Sequence, residues 1–370
     1  MKNIIITTLA IAVIQMNMSA DSSNNSNQHR QLTPVGTEAF SRIEGRIFGQ
    51  LDDGTTVQQY ILRNANGMEV RLIEYGATLT AINIPNGKGG LLNVIQGEES
   101  LEPFVKGYPS ASVIGRFANR IAHGKYTLDG KEHEVTRNAG PHHIHGGRKG
   151  FAKVVWQADP MPFKDNASAV RLTYEAKDGE EGFPGNMKVS VTYVLTDANE
   201  VKLIYSAKTD KPSPINLTNH AYFNLADQGG FENHEMWINS ATYTLADQQL
   251  IPTGKIGSVE GTALDFRTPH PIGERADDTQ PRPHLYDHNF IIIGGGQSIV
   301  HTATAKEPVS GRIMKVYTDQ PGVQLYTGNP RGFCLETQHY PDSVNHPEFP
   351  STILRPGETF ESTTIYAFEF

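Results

Sequence analysis

The sequence predicts an all-β protein built as one large antiparallel β-sandwich, and three observations carry that reading. Apolar and polar residues alternate in runs of strand length, tight-turn dipeptides separate the runs, and no window of a dozen residues sustains the 3.6-residue apolar period of an amphipathic helix. The 35 glycines and 22 prolines among 370 residues suit a turn-rich chain, and 38% hydrophobic against 19% charged residues argues against disorder.

Taken in order, the chain opens with Lys2, an apolar run over residues 4–13, and the small residues Ser19 and Ala20. One charge, a short apolar stretch and a cut after Ala20 make a secretory signal the expectation for residues 1–20, which places the protein in the periplasm or outside the cell. The apolar run is too short to span a bilayer. Residues 21–36, rich in Asn, Ser and Gln, read as a flexible tether, leaving 37–370 for the sandwich. Cys334 is the sole cysteine, so export is permitted but not supported by disulfide chemistry, and no cysteine follows the apolar run to take a lipid.

Strands are expected at 56–63 and 68–75, flanking Asn66-Gly67, which supplies the positive φ of a tight hairpin. Further strands are expected at 77–84, 113–121, 125–128, 154–158, 169–176, 187–195 and 200–209, with Asp129-Gly130, Asp178-Gly179 and residues 197–199 as breaks. The second half continues at 214–225, 236–244, 290–293, 311–318, 323–327, 332–338 and 363–370. No linker divides the halves and no fixed period repeats, so a propeller or solenoid is disfavoured.

A net charge of −8 without a Lys/Arg run in the sequence gives no footprint for nucleic acid or an anionic membrane, so the expected partner is a small molecule, bound by a monomer. The chain has no Gly-rich phosphate loop, no Gly-x-Ser-x-Gly elbow and no Cys-x-x-Cys, so nothing calls for a nucleotide or redox cofactor.

The chemistry-bearing residues sit on the alternating segments. Over 332–338 the two-residue period puts Cys334, Glu336 and Gln338 on one face and Phe333, Leu335 and Thr337 on the other. A carboxylate among Cys, Gln and aromatic neighbours is a candidate proton acceptor, against the alternative of a Glu facing water. Over 216–225 one stripe is Leu217, Ala221, Phe223 and Leu225, and the other is Asn216, Thr218, His220, Tyr222 and Asn224. Five polar residues opposite a core stripe suggest a site wall, and His220 is the one that titrates near neutrality.

His143 and His145 share a side if extended, a spacing that suggests a metal site, but Arg148 and Lys149 lie close by. A hydrogen-bonding His145 beside the Gly146-Gly147 turn is favoured, with His142 and His143 as loop residues. Asn119 and Arg120 follow in an alternating segment, Asp265 is isolated between apolar residues, and Gln324 and Tyr326 share a strand face. Together these read as an acid/base pair inside a polyol-binding cleft.

These segments resemble the aldose 1-epimerases, the galactose mutarotases: residues 115–121 (GRFANRI), 145–147 (HGG), 216–225 (NLTNHAYFNL), 250–254 (LIPTG), 286–290 (YDHNF), 320–329 (QPGVQLYTGN) and 332–338 (GFCLETQ), in the family's order. The resemblance implies a galactose mutarotase-like supersandwich that interconverts the α and β anomers of a free aldohexose without metal or cofactor. It implies Glu336 as general base, His220 as general acid, and His145, Asp265, Asn119, Arg120 and Gln324 as the residues that hold the sugar. One departure bears on sugar preference: only Pro330 and Arg331 separate residues 329 and 332, where many relatives carry a longer loop. A sugar-binding module would keep Asp265, Arg120 and His145 but would not need Glu336 or His220. A hydrolase would need two carboxylates across the scissile bond, with Glu336 and Asp265 as the available pair.

Overall fold

In Glu200–Thr209 the residues Val201, Leu203, Tyr205 and Ala207 are buried, while those between them stay partly or fully exposed. A strand patterned in this way covers a core on one face only. This strand belongs to a nine-stranded antiparallel sheet, the largest element of the computed structural model, which describes residues 42–107, 110–164 and 167–370. The expected signal and tether lie outside the described residues.

The sheet runs in the order Gln157–Pro162, Ser168–Ala176, Met187–Leu195, Glu200–Thr209, Phe360–Glu369, Ile313–Thr318, Val300–Lys306, Glu235–Ile238 and His270–Pro271. The C-terminal strand Phe360–Glu369 is its hinge, pairing with Glu200–Thr209 on one edge and Ile313–Thr318 on the other. Two five-stranded antiparallel sheets complete the sandwich. One comprises Ile43–Gln50, Thr56–Arg63, Glu69–Ile73, Thr78–Pro85 and Leu91–Asn93, and the other Pro252–Ser258, Thr242–Ala246, Asp287–Ile291, Gly322–Asn329 and Gly332–Gln338.

One hydrophobic cluster draws on all three sheets: Leu72, Leu79 and Ile82 from the first small sheet, Val323, Leu325 and Leu335 from the second, and Val191, Leu203 and Tyr366 from the large one. Polar contacts stitch the same layers. The Tyr193 hydroxyl donates to the Ala77 carbonyl at 2.6 Å, and the hydroxyls of Thr337 and Thr364 meet at 2.5 Å.

Strands 125–128, 187–195 and 200–209 fall where the alternation places them. Several expected strands do not form as continuous ladders: 236–244 splits into Glu235–Ile238 of the large sheet and Thr242–Ala246 of a small one, and of 154–158 only Gln157 and Ala158 join a strand. Over 113–121 only Val113–Ile114 and Arg120–Ile121 join ladders, with Phe117 in an isolated bridge to Asn216 between them, and Asn119 adopts φ +61°, which turns the chain out of the extended region. Over 214–225 only Ser213–Pro214 and Thr218–Asn219 join ladders, and the rest pairs in isolated bridges such as Phe223 with Ile95 and with Phe333. The segment is a seam running between sheets. Phe223 pins it, fully buried against Phe333 and Tyr366 at ring-centroid distances of 6.3 and 4.9 Å.

Phe223→Ala is expected to cost about 3–5 kcal/mol through the cavity it leaves. The measurement is the urea unfolding midpoint; an unchanged midpoint would show that the seam is not held from this side.

Candidate active site

Gly332–Gln338 is buried at every position. Phe333 and Leu335 enter the hydrophobic cluster, so Cys334 and Glu336 face the other way, toward the seam. There the Cys334 thiol meets His220 Nδ1 at 3.4 Å, and Glu336 Oε1 lies 3.6 Å from His220 Nε2. That separation exceeds a hydrogen bond. Glu336 is 2% exposed and His220 4%, which excludes a Glu facing water.

Glu336, His220, His145, Asn119 and Arg120 line one cavity of about 600 Å³, together with Asp287, Tyr222 and Tyr326. Its shape depends on the turn after His145. Gly146 has φ +80°, and a Cβ there would sit 1.7 Å from the Gly115 carbonyl, so only glycine allows the approach. Asn138 fastens the turn by donating to the carbonyls of Ile144 and Gly147 at 2.9 and 2.8 Å. Asn119 N–H donates to His145 Nδ1 at 3.2 Å, so the neutral ring carries its proton on Nε2. The His145 ring stands edge-on to His220 at 5.3 Å, while Tyr222 and Tyr326 cover His220 at 5.0 and 5.9 Å.

Arg120 Nη2 and Gln324 Nε2 both donate to Asp287, at 3.2 and 2.5 Å. Gln324 therefore sits behind Asp287 and does not itself line the cavity. Asp265 lines a second hollow, with Tyr243, Arg275 and Gln280, and is clamped by both Arg267 donors at 2.8 and 2.7 Å. Glu336 and Asp265 thus do not face each other across one cavity as a hydrolase would require.

Other expectations are corrected. Of the five polar residues over 216–224, only His220 and Tyr222 line the cavity. Asn216 instead donates to the carbonyls of Ala118 and His339, and Asn224 to those of Gly229 and Arg331. His142 and His143 are buried: His142 meets Gln249, and His143 Nδ1 bonds the Thr136 carbonyl. His145 and His143 part company because His145 takes φ +51°. A different set comes together: ligand atoms of His145, His220 and Glu336 lie within 4.8 Å of one another, a geometry able to hold a divalent cation. Asp287 is the residue that sequence reasoning passed over, since its value lies in partners from distant strands.

Burial dominates the electrostatics. It pushes the Glu336 carboxyl up to about 8, with Asp287 adding to the rise and Arg120 opposing it, and it pushes the His220 imidazole down to about 4. Burial also holds His145 well below and Cys334 well above their ordinary values. A protonated thiol donates to His220 Nδ1, leaving the Nε2 proton directed toward Glu336. Between the two limits the Glu336–His220 pair holds one proton, and it belongs to the pair rather than to either residue. Glu336 Oε2 is buried with no hydrogen-bond partner, a deficit of about 1–3 kcal/mol that a hydroxyl donor would relieve.

A one-proton pair at the floor of a polar cavity defines an enzyme that moves protons on a small hydroxyl-bearing molecule. Comparison with known proteins narrows this. Residues 58–367 match the family model of the aldose 1-epimerases. Human galactose mutarotase is 40% identical over 351 residues, covering 89% of this chain and 99% of that protein. The aldose 1-epimerase of Escherichia coli K12 is 38% identical over 341 residues, covering 85% and 96%. The crystal structure of a galactose 1-epimerase from Lactobacillus acidophilus superposes with a TM-score of 0.78 at 28% identity, covering 88% of this chain and 98% of that one. The chain belongs to the aldose 1-epimerase family, and its reaction is the interconversion of aldose anomers.

The pH dependence follows from the pair. Below about pH 4 both groups are protonated and no base remains; above about pH 8 both have lost their protons and no acid remains. The enzyme-dependent kcat/KM for anomer exchange is expected to be bell-shaped between these limits. A profile that keeps rising past pH 9 would contradict it.

Proposed function

We propose that this chain interconverts the anomers of a free aldohexose, galactose or glucose, with Glu336 as general base and His220 as general acid. The observation that carries the reading is the 3.6 Å approach of two buried proton carriers, Glu336 Oε1 and His220 Nε2. In the reactive form the pair's proton is on His220. Glu336 takes the proton of the C1 hydroxyl, the C1–O5 bond breaks as the C1 carbonyl forms, and O5 receives the His220 proton. The open-chain aldehyde then faces a protonated Glu336 and a neutral imidazole. That is the form burial favours, so the burial of Glu336 and His220 assists ring opening. Rotation about C1–C2 exposes the other carbonyl face. On closure O5 attacks C1 and returns its proton to His220, while Glu336 protonates the new C1 hydroxyl.

The partners fit this division of labour. His145 and Arg120 offer donors to sugar hydroxyls, Asn119 orients His145, and Gln324 orients Asp287. Asp265, paired to Arg267, keeps lone pairs on both oxygens that can accept from a hydroxyl entering the hollow it lines. We further propose that residues 37–370 act as a single catalytic unit and a monomer, and that the leader expected over residues 1–20 places the activity in the periplasm or outside the cell.

Glu336→Gln preserves shape while removing the base, so turnover by polarimetry is expected to fall about 10²- to 10⁴-fold with sugar affinity kept. Near-normal turnover would remove Glu336 from the role. Because side chains account for every proton, dialysis against EDTA is expected to leave the rate unchanged. A loss on chelation, restored by a divalent cation, would instead assign the His145, His220 and Glu336 cluster to a metal.

A further inference from the structure

The floor of the cavity holds the reacting pair, but its rim is cationic in a way that the reaction on a neutral sugar does not use. Arg148, Lys149, Lys153 and Arg282 all line it. Its acidic lining is Glu336, which burial favours as the neutral acid, and Asp287, which is already paired with Arg120. None of the four rim cations has a carboxylate at ion-pair distance among the described residues. Glu181 is the acid near this turn, and it is engaged by the peptide N–H of Lys149 at 2.8 Å and by those of its neighbours. The chain as a whole carries a net charge of −8, so a one-sign rim is a local arrangement and not a reflection of composition.

The cations come from two segments anchored in the site. Arg148 and Lys149 stand on the turn that follows His145 and is held by Asn138 and Glu181. Lys153 closes the short 3-10 turn Phe151–Lys153 and is half-buried, its stem against the site. Arg282 precedes Asp287 on the opposite segment. Arg148 donates to the Arg137 carbonyl at 3.4 Å, which leaves Lys149, Lys153 and Arg282, from two segments lining one cavity, as the guanidinium and ammonium chemistry that recognises a carboxylate or a phosphate.

We propose that, besides neutral galactose or glucose, the site takes and favours aldoses bearing an anionic group, carboxylate or phosphate, away from C1: the hemiacetal sits at Glu336 and His220 while the anion is held by the Lys149, Lys153 and Arg282 rim. This rests on the anomer-exchange reading above and adds the substrate class. The test is exchange NMR between the anomeric protons of D-glucose, D-glucuronate and D-glucose 6-phosphate, each corrected for its uncatalysed rate, with the wild-type chain and the Lys149→Ala/Arg282→Ala variant.

At low ionic strength kcat/KM is expected to be higher for at least one anionic sugar than for glucose by about fivefold, the size that one or two partly exposed ion pairs give. The preference is expected to shrink with added salt and to collapse in the variant. A gain confined to the phosphate or to the carboxylate identifies which anion the rim is shaped for. Glucose handled as well as or better than both anionic sugars would overturn the proposal while leaving the anomer-exchange reading intact, as would a preference unmoved by the double substitution. No acceleration of any of the three sugars would overturn both.

Discussion

The site depends on a carboxyl placed on a strand that has no wet face. Gly332–Gln338 is covered by the hydrophobic cluster on the Phe333 and Leu335 side and by the seam carrying His220 on the other. Phe333 exchanges both backbone hydrogen bonds with Phe223, so the seam and the strand are locked in register. Charge at Glu336 is therefore costly, and so is charge at His220 beneath its cover of Tyr222, Tyr326 and His145. Between about pH 4 and pH 8, two groups that each resist ionisation, held 3.6 Å apart, are ionised together, by moving one proton between them. Ring opening and closing of a hemiacetal asks for the same movement, one proton gained at one oxygen and one lost at the other.

Much of this was legible because the alternation reports faces. Strand 200–209 alternates along its whole length and strand 187–195 over its first half, so their pattern is clear and their limits follow from it. Ile43–Gln50, exposed along most of its length, carries no alternation and was passed over. The pattern reports an extended chain but not what it pairs with. That is why 113–121 and 214–225 were read as strands when the first is interrupted at Asn119 and the second is a seam bridging several sheets. His220 and Glu336 were visible as polar positions opposite apolar stripes. That neither faces water was not, because both sides of their segments are covered by elements distant in the chain.

Asp287 and the cationic rim show a second limit. Asp287 matters because Arg120, 167 residues away, and Gln324, 37 residues away, both reach it. Arg148 and Lys149 meet Arg282 only across the cavity. Clusters assembled by folding leave no run in the sequence, and the absence of a Lys/Arg stretch said nothing about a local field. The result divides the cavity by chemistry: a buried floor where one proton is exchanged, and a rim where charge is exposed to solvent and to whatever the sugar carries beyond its ring.

The central claim is that Glu336 and His220 bracket the hemiacetal from opposite ends. The most direct measurement is a crystal structure of the chain with an aldose bound. The account predicts O1 within about 2.6–3.2 Å of the Glu336 carboxylate and the ring oxygen within the same reach of His220 Nε2. A sugar whose ring oxygen faces Glu336 and whose O1 faces His220, or one bound with C1 away from both, would contradict it.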